Sequence, residues 1–260
     1  MTFEQANLAY LLGALYGDGS FSNERIFFGV TDRDFVEAVA NTVKKLFGIE
    51  LTIRTRKLSL KNPKWKDYFH FSSRKIYSYL EKYNPKINNE LPRFIKKGNL
   101  RVKSAFLKGF FDAEGNVDIR SVKRKDGRTD VIRHVKGFSN NTKMLNEIKQ
   151  ILSTFDIKSK IFRGKKNNYY ICIWNYRSLK IFNENIGFVI KRKQLSLEKA
   201  LNSYKEIQTR WNFETYKKVM NLGKTKGIGA KKIKQELSRN GFNIPQPTIE
   251  AWIYGKSKIT

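Results

Sequence analysis

Leu11-Leu12-Gly13-Ala14-Leu15-Tyr16-Gly17-Asp18-Gly19 is answered further along the chain by Leu107-Lys108-Gly109-Phe110-Phe111-Asp112-Ala113-Glu114-Gly115. Each stretch carries two small residues four apart, Gly13 with Gly17 and Gly109 with Ala113, and each ends in a carboxylate followed by glycine. Residues four apart share a helix face, so each pair forms a flat stripe that a second backbone can approach closely. Leu8, Leu11, Leu12 and Leu15 recur at i, i+3, i+4 and i+7, the spacing of an amphipathic helix, and Gly19 sits where a left-handed C-terminal cap would fall. The second copy follows suit from Ala105 through Phe106, Phe110 and Ala113 to Gly115. Asp18 and Glu114 therefore belong to last helical turns, where the macrodipole is negative and an anion loses roughly 0.3–1 kcal/mol. A single such acid is an ordinary helix-end residue. Two, at equivalent places in a repeat whose copies lie 96 residues apart (18 to 114), predict a two-fold site in which a divalent cation offsets both penalties. That separation is the size of a half-domain rather than of a solenoid unit.

Composition narrows the partner. The 260 residues include 52 Lys+Arg against 23 Asp+Glu, a formal charge of +29, which points to a polyanion and most simply to nucleic acid. No apolar run reaches the length of a membrane span, and Met1-Thr2-Phe3-Glu4-Gln5 does not open a signal peptide, so an intracellular setting, cytoplasm, nucleoid or organelle, is expected. The single cysteine, Cys172, excludes an internal disulfide and reads as a buried structural thiol within a strand-like run. Two histidines and one cysteine make a zinc site improbable.

Each acidic helix is followed by the same order of elements. The first half reads a strand near Arg25–Thr31, a helix from Asp34 to about Phe47, strands near Glu50–Leu58 and Asp67–Ser72, and a short helix over Arg74–Lys82. The second half reads strands near Val117–Lys123 and Val131–Ser139, joined at an Asp126-Gly127 turn, then a helix over Thr142–Phe155. Strands near Ile157–Arg163 and Tyr169–Trp174 and a helix over Ser178–Asn185 complete it. Both halves are read as αββαββα, an α+β fold, although the first hairpin of the first half shows only its second strand in the pattern; Pro85 and Pro92 bracket the connection between halves. The strands alternate greasy and cationic positions: Leu51 and Ile53 with Arg54 and Arg56, Ile157 and Ile161 with Lys158 and Lys160, Val131 and Val135 with His134 and Lys136. Such a sheet packs one face on helices and offers the other to DNA, whose major groove admits a β-ribbon. Arg54, Arg56, His70, Arg120, Arg133, Lys158 and Lys160 are the candidate contacts.

Both nine-residue stretches resemble the signature helix of LAGLIDADG homing endonucleases of the single-chain, two-motif type. The first departs from the pattern at Tyr16, where an acid is usual; the second keeps that acid as Asp112. The resemblance covers roughly residues 5–205. It implies duplicated αββαββα half-domains over 1–100 and 101–210, related by a pseudo-two-fold axis, with two saddle-shaped antiparallel sheets. It also implies that Asp18 and Glu114 hold divalent metal, usually Mg²⁺, with the carbonyls of Gly17 and Ala113 supplementing them. The same likeness implies basic or polar residues that organise water around the metals: Lys193, with Lys191 in reserve, in the second half, and Lys97, or Asp32 and Arg33, in the first. Asn140 is read as the equivalent of the latter pair.

Residues 211–260 stand apart, with ten Lys/Arg against three Asp/Glu. A helix from Gly227 through Leu237, a turn at Asn240-Gly241 and a second helix from Pro247 to Gly255 read as a helix-turn-helix. Thr248 falls at the start of its recognition helix, and Ile228, Ile233, Leu237, Ile249, Trp252 and Ile253 form its core. The expected function is a metal-dependent double-strand break in a long asymmetric DNA site, made by a monomer acting as a pseudo-dimer. The alternatives are an RNA-binding intron maturase and a non-catalytic DNA-binding regulator on the same fold.

Overall fold

The computed structural model describes residues 2–57, 65–83, 90–123, 129–164, 168–208, 213–225, 227–242 and 244–255. The Asp126-Gly127 turn, Pro85 and residues 209–212 lie outside them. The chain divides into two compact units, Met1–Leu201 and Asn202–Thr260.

The first unit holds both repeats. Its first half runs α1 (Thr2–Asp18), β1 (Gly19–Ser22), β2 (Arg25–Val30), α2 (Arg33–Phe47), β3 (Arg54–Lys57), β4 (Trp65–Ser72) and α3 (Arg74–Glu81). A short α4 (Arg93–Lys96) leads into the second half: α5 (Leu100–Glu114), β5 (Gly115–Lys123), β6 (Thr129–Ser139), α6 (Thr142–Ser153), β7 (Lys160–Arg163), β8 (Tyr169–Ile173) and α7 (Tyr176–Asn185). Helix α8 (Lys191–Gln208) follows. The two four-stranded antiparallel sheets have matching orders, β1-β2-β4-β3 and β5-β6-β8-β7.

Helices α1 and α5 pack against each other through the small-residue stripes. A Cβ on Gly13 would stand 2.8 Å from the Phe110 nitrogen and closer still to the Phe106 carbonyl oxygen. One on Gly109 would stand 2.9 Å from the Ala14 nitrogen and closer still to the Tyr10 carbonyl oxygen. Under the 96-residue offset Tyr10 becomes Phe106 and Ala14 becomes Phe110, so each contact is the image of the other. Reciprocal contacts of this kind define a two-fold axis. Burial on every side follows: Ala6, Leu8, Ala9, Leu11, Leu12, Ala14 and Leu15 are all buried, so α1 is apolar all round rather than amphipathic.

The glycines that close the motif helices do a different job from the one expected. Neither Gly19 nor Gly115 is left-handed; both lead straight into strands. Gly115 is extended, at φ −91° and ψ 155°. A Cβ on Gly19 would press on the Leu15 carbonyl oxygen at 2.6 Å, and one on Gly115 would overlap that of Phe111. A close approach, not a positive φ, demands glycine there. The Asn23-Glu24 turn does take positive φ, 50° and 59°, in the two-residue hairpin between β1 and β2.

Strand register sorts the side chains. Phe28 faces Phe69, and Val135 faces Ile173, all buried on the core side. The opposite face of the first sheet carries Arg25, Phe27, Arg54, Arg56, Lys66, Tyr68 and His70. That of the second carries Asp118, Arg120, Ile132, His134, Lys136, Phe138, Lys160, Phe162, Tyr170 and Cys172. Cys172 is buried there beneath neighbouring side chains, and burial pushes its thiol up to about 11. Strand β3 is exposed at all four positions, with Leu51 and Ile53 preceding it, so it lacks the greasy face that alternation predicts.

The second unit contains α9 (Phe213–Met220), a π-helical turn (Asn221–Thr225), α10 (Ala230–Arg239) and α11 (Gln246–Ile253). Its core is Val219, Leu222, Ile233, Leu237, Ile244, Ile249 and Trp252, with Ile228 and Ile253 only partly buried against it. Gly241 turns the chain after α10 at φ 79°. No helix among the described residues is long and apolar enough to cross a membrane.

Candidate metal centre and nucleic-acid interface

Asp18 is the last residue of α1 and Glu114 the last of α5, so both acids sit among carbonyls that have no intrahelical donor. The dyad brings these ends together. A Cβ on Gly17 would stand 2.6 Å from the Ala113 Cβ and 2.9 Å from Glu114 Oε1. Each acid opens into its own cavity, and each cavity also borrows the small residue of the other helix. One, about 330 Å³, is lined by Asp18 with Ala113, Asp32, Lys66, Asp112, Arg192 and Lys193. The other, about 780 Å³, is lined by Glu114 with Gly17, Tyr16, Ser139, Asn140, Asn141 and Lys143.

The Asp18 cavity is charged. Asp112 is buried, and its carboxylate accepts the backbone N–H groups of Val189 (3.0 Å) and Ile190 (3.2 Å). Burial pushes it up to about 6 against the pull of those donors. By holding residues 189–190, Asp112 brings the start of α8 to the end of α5. Lys193 is buried there and donates through Nζ to the carbonyls of Phe111 (3.3 Å) and Asp112. It thus bonds to carbonyls at the helix end, of which that of Phe111 also accepts the Gly115 N–H. Burial pushes its ammonium down to about 8, opposed chiefly by Asp112. Arg192 clamps Asp32 with two bonds, Nε to Oδ1 at 2.6 Å and Nη2 to Oδ2 at 2.7 Å. The Lys191 N–H donates to Asp34 Oδ2 at 2.7 Å.

The Glu114 cavity holds hydroxyls and amides. Tyr16 Oη and Ser139 Oγ are 2.8 Å apart, Ser139 Oγ accepts the Asn141 N–H, and Asn141 Oδ1 accepts the Met144 N–H at the start of α6. Asn141 precedes α6 as Asp32 precedes α2. The true counterpart of Asp32 is therefore Asn141, and Asn140 corresponds to Thr31.

Of the residues read from sequence, Asp18, Glu114, Gly17, Ala113, Lys193, Asp32 and Asn140 line these two cavities. Lys97 does not. It is exposed at the end of α4 and lines a separate cavity beside Tyr79, Tyr83 and Phe94. The connection carrying it docks on α6, where Glu147 accepts the Leu91 N–H at 2.6 Å and pairs with Lys96 at 2.9 Å. Arg33 is also exposed and turns to Glu37 (2.8 Å) and Asp67 (3.4 Å). Lys66, Arg192 and Ser139 were not foreseen as cavity residues; the pair 32/192 spans the chain with no local signal.

Arg54, Arg56, His70, Arg120 and Lys160 lie on the outward sheet faces, as read. Lys158 is exposed but precedes β7. Arg133 is misplaced by the reading: it shares a face with Val131 and Val135, is buried, and its Nη1 donates to the Val131 carbonyl at 3.0 Å. His134 and Lys136 occupy the outward positions instead. Thr248 is half-buried in the first turns of α11.

No group of three or more His, Cys, Asp or Glu side chains that could hold a metal occurs among the described residues. The donor set fits a hard cation of the Mg²⁺ kind, which takes one or two carboxylates and completes its shell with water and substrate phosphate oxygens. A softer metal would find no thiolate or imidazole here.

A duplicated αββαββα unit whose motif helices meet on a dyad and end in acids is a two-motif frame. The chain belongs to the LAGLIDADG-like domain family, whose model matches residues 5–84 and 101–187. Its fold is similar to that of the meganuclease I-SmaMI bound to uncleaveable DNA (TM-score 0.53, 14% identity, covering 78% of this chain and 93% of that one). It is similar too to a variant of the homing endonuclease I-DmoI in complex with its target DNA in the presence of Mg²⁺ (TM-score 0.50, 17% identity, 72% and 98%). Among curated proteins it is 28% identical over 214 residues to a probable translation initiation factor IF-2 of Thermococcus kodakarensis. It is 26% identical over 216 residues to a glutamine–fructose-6-phosphate aminotransferase of Methanocaldococcus jannaschii. These matches take in 81% and 78% of this chain but only 17% and 18% of the two relatives.

Proposed function

We propose that this chain is a homing endonuclease that makes a metal-dependent double-strand break in a long asymmetric DNA target. The observation that carries the reading is the reciprocal pair of cavities, each joining the terminal acid of one motif helix to the small residue of the other. Two sites related by a dyad suit two scissile phosphates, one per strand. Asp18 and Glu114 would hold divalent cations, with the Gly17 and Ala113 carbonyls beside them. A bound cation there supplies charge neutralisation for in-line attack of water at phosphorus. Lys193 stiffens the α5 end from behind and sets a positive charge beside the Asp18 cavity. Asp112 places it there, and Asp32, clamped by Arg192, walls the cavity on the far side. The outward sheet faces grip the duplex. The three-helix unit, with its Gly241 turn and basic α10, serves as a helix-turn-helix that adds a second hold on DNA.

Recurrence supports the reading. A segment shared by an initiation factor and an aminotransferase, under a fifth of each, does not account for either chemistry, and it fits a mobile module. The test is incubation of the full chain with a randomised or genomic DNA library, with Mg²⁺ or with EDTA. Discrete breaks that require the metal support the reading; tight binding that leaves DNA intact under both conditions favours a non-catalytic regulator.

A further inference from the structure

The two outward sheet faces are chemically unlike. On the first, Arg25, Arg54, Arg56 and Lys66 share the surface with Phe27 and Tyr68, and no carboxylate lies on that face among the described strand residues. The Arg56 guanidinium stacks 5.1 Å from the Tyr68 ring centre and 5.8 Å from that of Phe27. On the second, Tyr170 lies between Phe138 and Phe162, with ring centres 5.6 and 5.5 Å apart, and Ile132 and the half-exposed Val122 extend the apolar surface. Phe162 remains 37% exposed. Two cations of this face are drawn to Asp118, which pairs with Lys136 at 2.7 Å and with Arg120 at 3.5 Å, while Lys160 lies over the Phe162 ring at 5.4 Å and Asp130 stands opposite Val122.

In the major groove, guanine offers O6 and N7 to a bidentate arginine, whereas thymine offers a methyl group to an apolar side chain. We propose that the two sheets read the two halves of the target by different chemistry: β1-β2-β4-β3 reads guanine through arginine, and β5-β6-β8-β7 reads a thymine-rich half through Phe138, Phe162, Ile132 and Val122. This rests on the reading of the chain as a duplex-DNA binder that uses both sheets. It goes beyond that reading by assigning base chemistry to each half.

The test is a binding selection with the full chain on a randomised duplex library, followed by replacement of thymine with deoxyuridine, which lacks the 5-methyl group, in one half of the selected site at a time. The expected site is guanine-bearing on one side and thymine-rich on the other. Deoxyuridine in the thymine-rich half lowers affinity about fourfold per contacted methyl, the fold-change of one buried carbon, and in the other half leaves it unchanged. Phe162→Ala flattens base preference in the thymine half alone, and Arg54→Gln in the guanine half alone. The same base bias in both halves, or no penalty from deoxyuridine in the thymine-rich one, overturns the assignment while the DNA-binding reading stands. Selection of no duplex at all overturns both.

Discussion

Around Asp18 the chain gathers two further carboxylates, Asp32 and Asp112, and three cations, Lys66, Arg192 and Lys193; around Glu114 it gathers Tyr16, Ser139, Asn140, Asn141 and Thr142, with Lys143 its one cation among the described lining residues. The helix ends are equivalent, yet one cavity is tight and charged and the other wide and mostly neutral. One position accounts for much of this. Residue 112 is an aspartate and its counterpart, residue 16, a tyrosine. Asp112 captures the N–H groups of Val189 and Ile190 and so delivers Lys193, whereas the Tyr16 hydroxyl meets Ser139 on β6. The duplication preserves what the dyad itself requires, small stripes and terminal acids, and the surroundings have diverged.

The preserved part is the most fragile. Gly13→Ala and Gly109→Ala each force a Cβ into the partner helix backbone, and each is expected to cost about 3 kcal/mol. Denaturant midpoints of the two variants should agree; a harmless substitution at either position would break the two-fold account of the interface.

The divergent part should show in strand preference. Lys193→Met is expected to slow cleavage of the strand served by the Asp18 cavity about 10–100-fold, the range for groups just behind a metal, and to spare the other strand. Lys193 also predicts a pH signature. Its ammonium is pushed down to about 8 from 10.5, so between those values the unfolded chain binds more protons than the folded one. Unfolding free energy from this group therefore rises with pH across that window, and the rise disappears in Lys193→Met.

On the sheets, Lys160→Gln, an exposed outward position, is expected to reduce the salt dependence of DNA affinity by about one unit of slope, while Arg133→Met, an inward position, leaves that slope alone. Titration of binding against salt distinguishes them. The smallest effect belongs to the Asp32–Arg192 clamp. The arginine side chain is 65% exposed, so Asp32→Asn should cost under about 1 kcal/mol, and salt should erase it.

Much of this could be read without coordinates. The leucine and glycine spacing of residues 8–19 and its echo at 105–115 announce two helices that cross closely, though as amphipathic helices rather than ones buried on every side, and the repeated element order announces the sheets. Patterns of period two and period 3.6 carry that information because they are local. What escaped depends on register and on distance along the chain. Arg133 and His134 are neighbours in sequence; the alternation of Val131 and Val135 with His134 already sets Arg133 inward, and the pairing of β6 with β5 fixes it there. Lys97 looked like the mirror of Lys193, but Glu147 holds its connection against α6, away from the acids. Asp32 and Arg192, 160 residues apart, carry no shared pattern. Gly19 has the sequence trace of a left-handed cap because a strand following a helix without a break leaves the same trace.

Strand-resolved cleavage of a selected target by the unaltered chain, Asp18→Asn and Glu114→Gln, each with Mg²⁺ and with EDTA, bears most directly on the paired acids. Both strands should be cut by the unaltered chain only with Mg²⁺, and each substitution should suppress the double-strand break about 1000-fold or more. Breaks in both strands at undiminished rate from either variant, or from the unaltered chain in EDTA, would contradict the role assigned to the two helix ends.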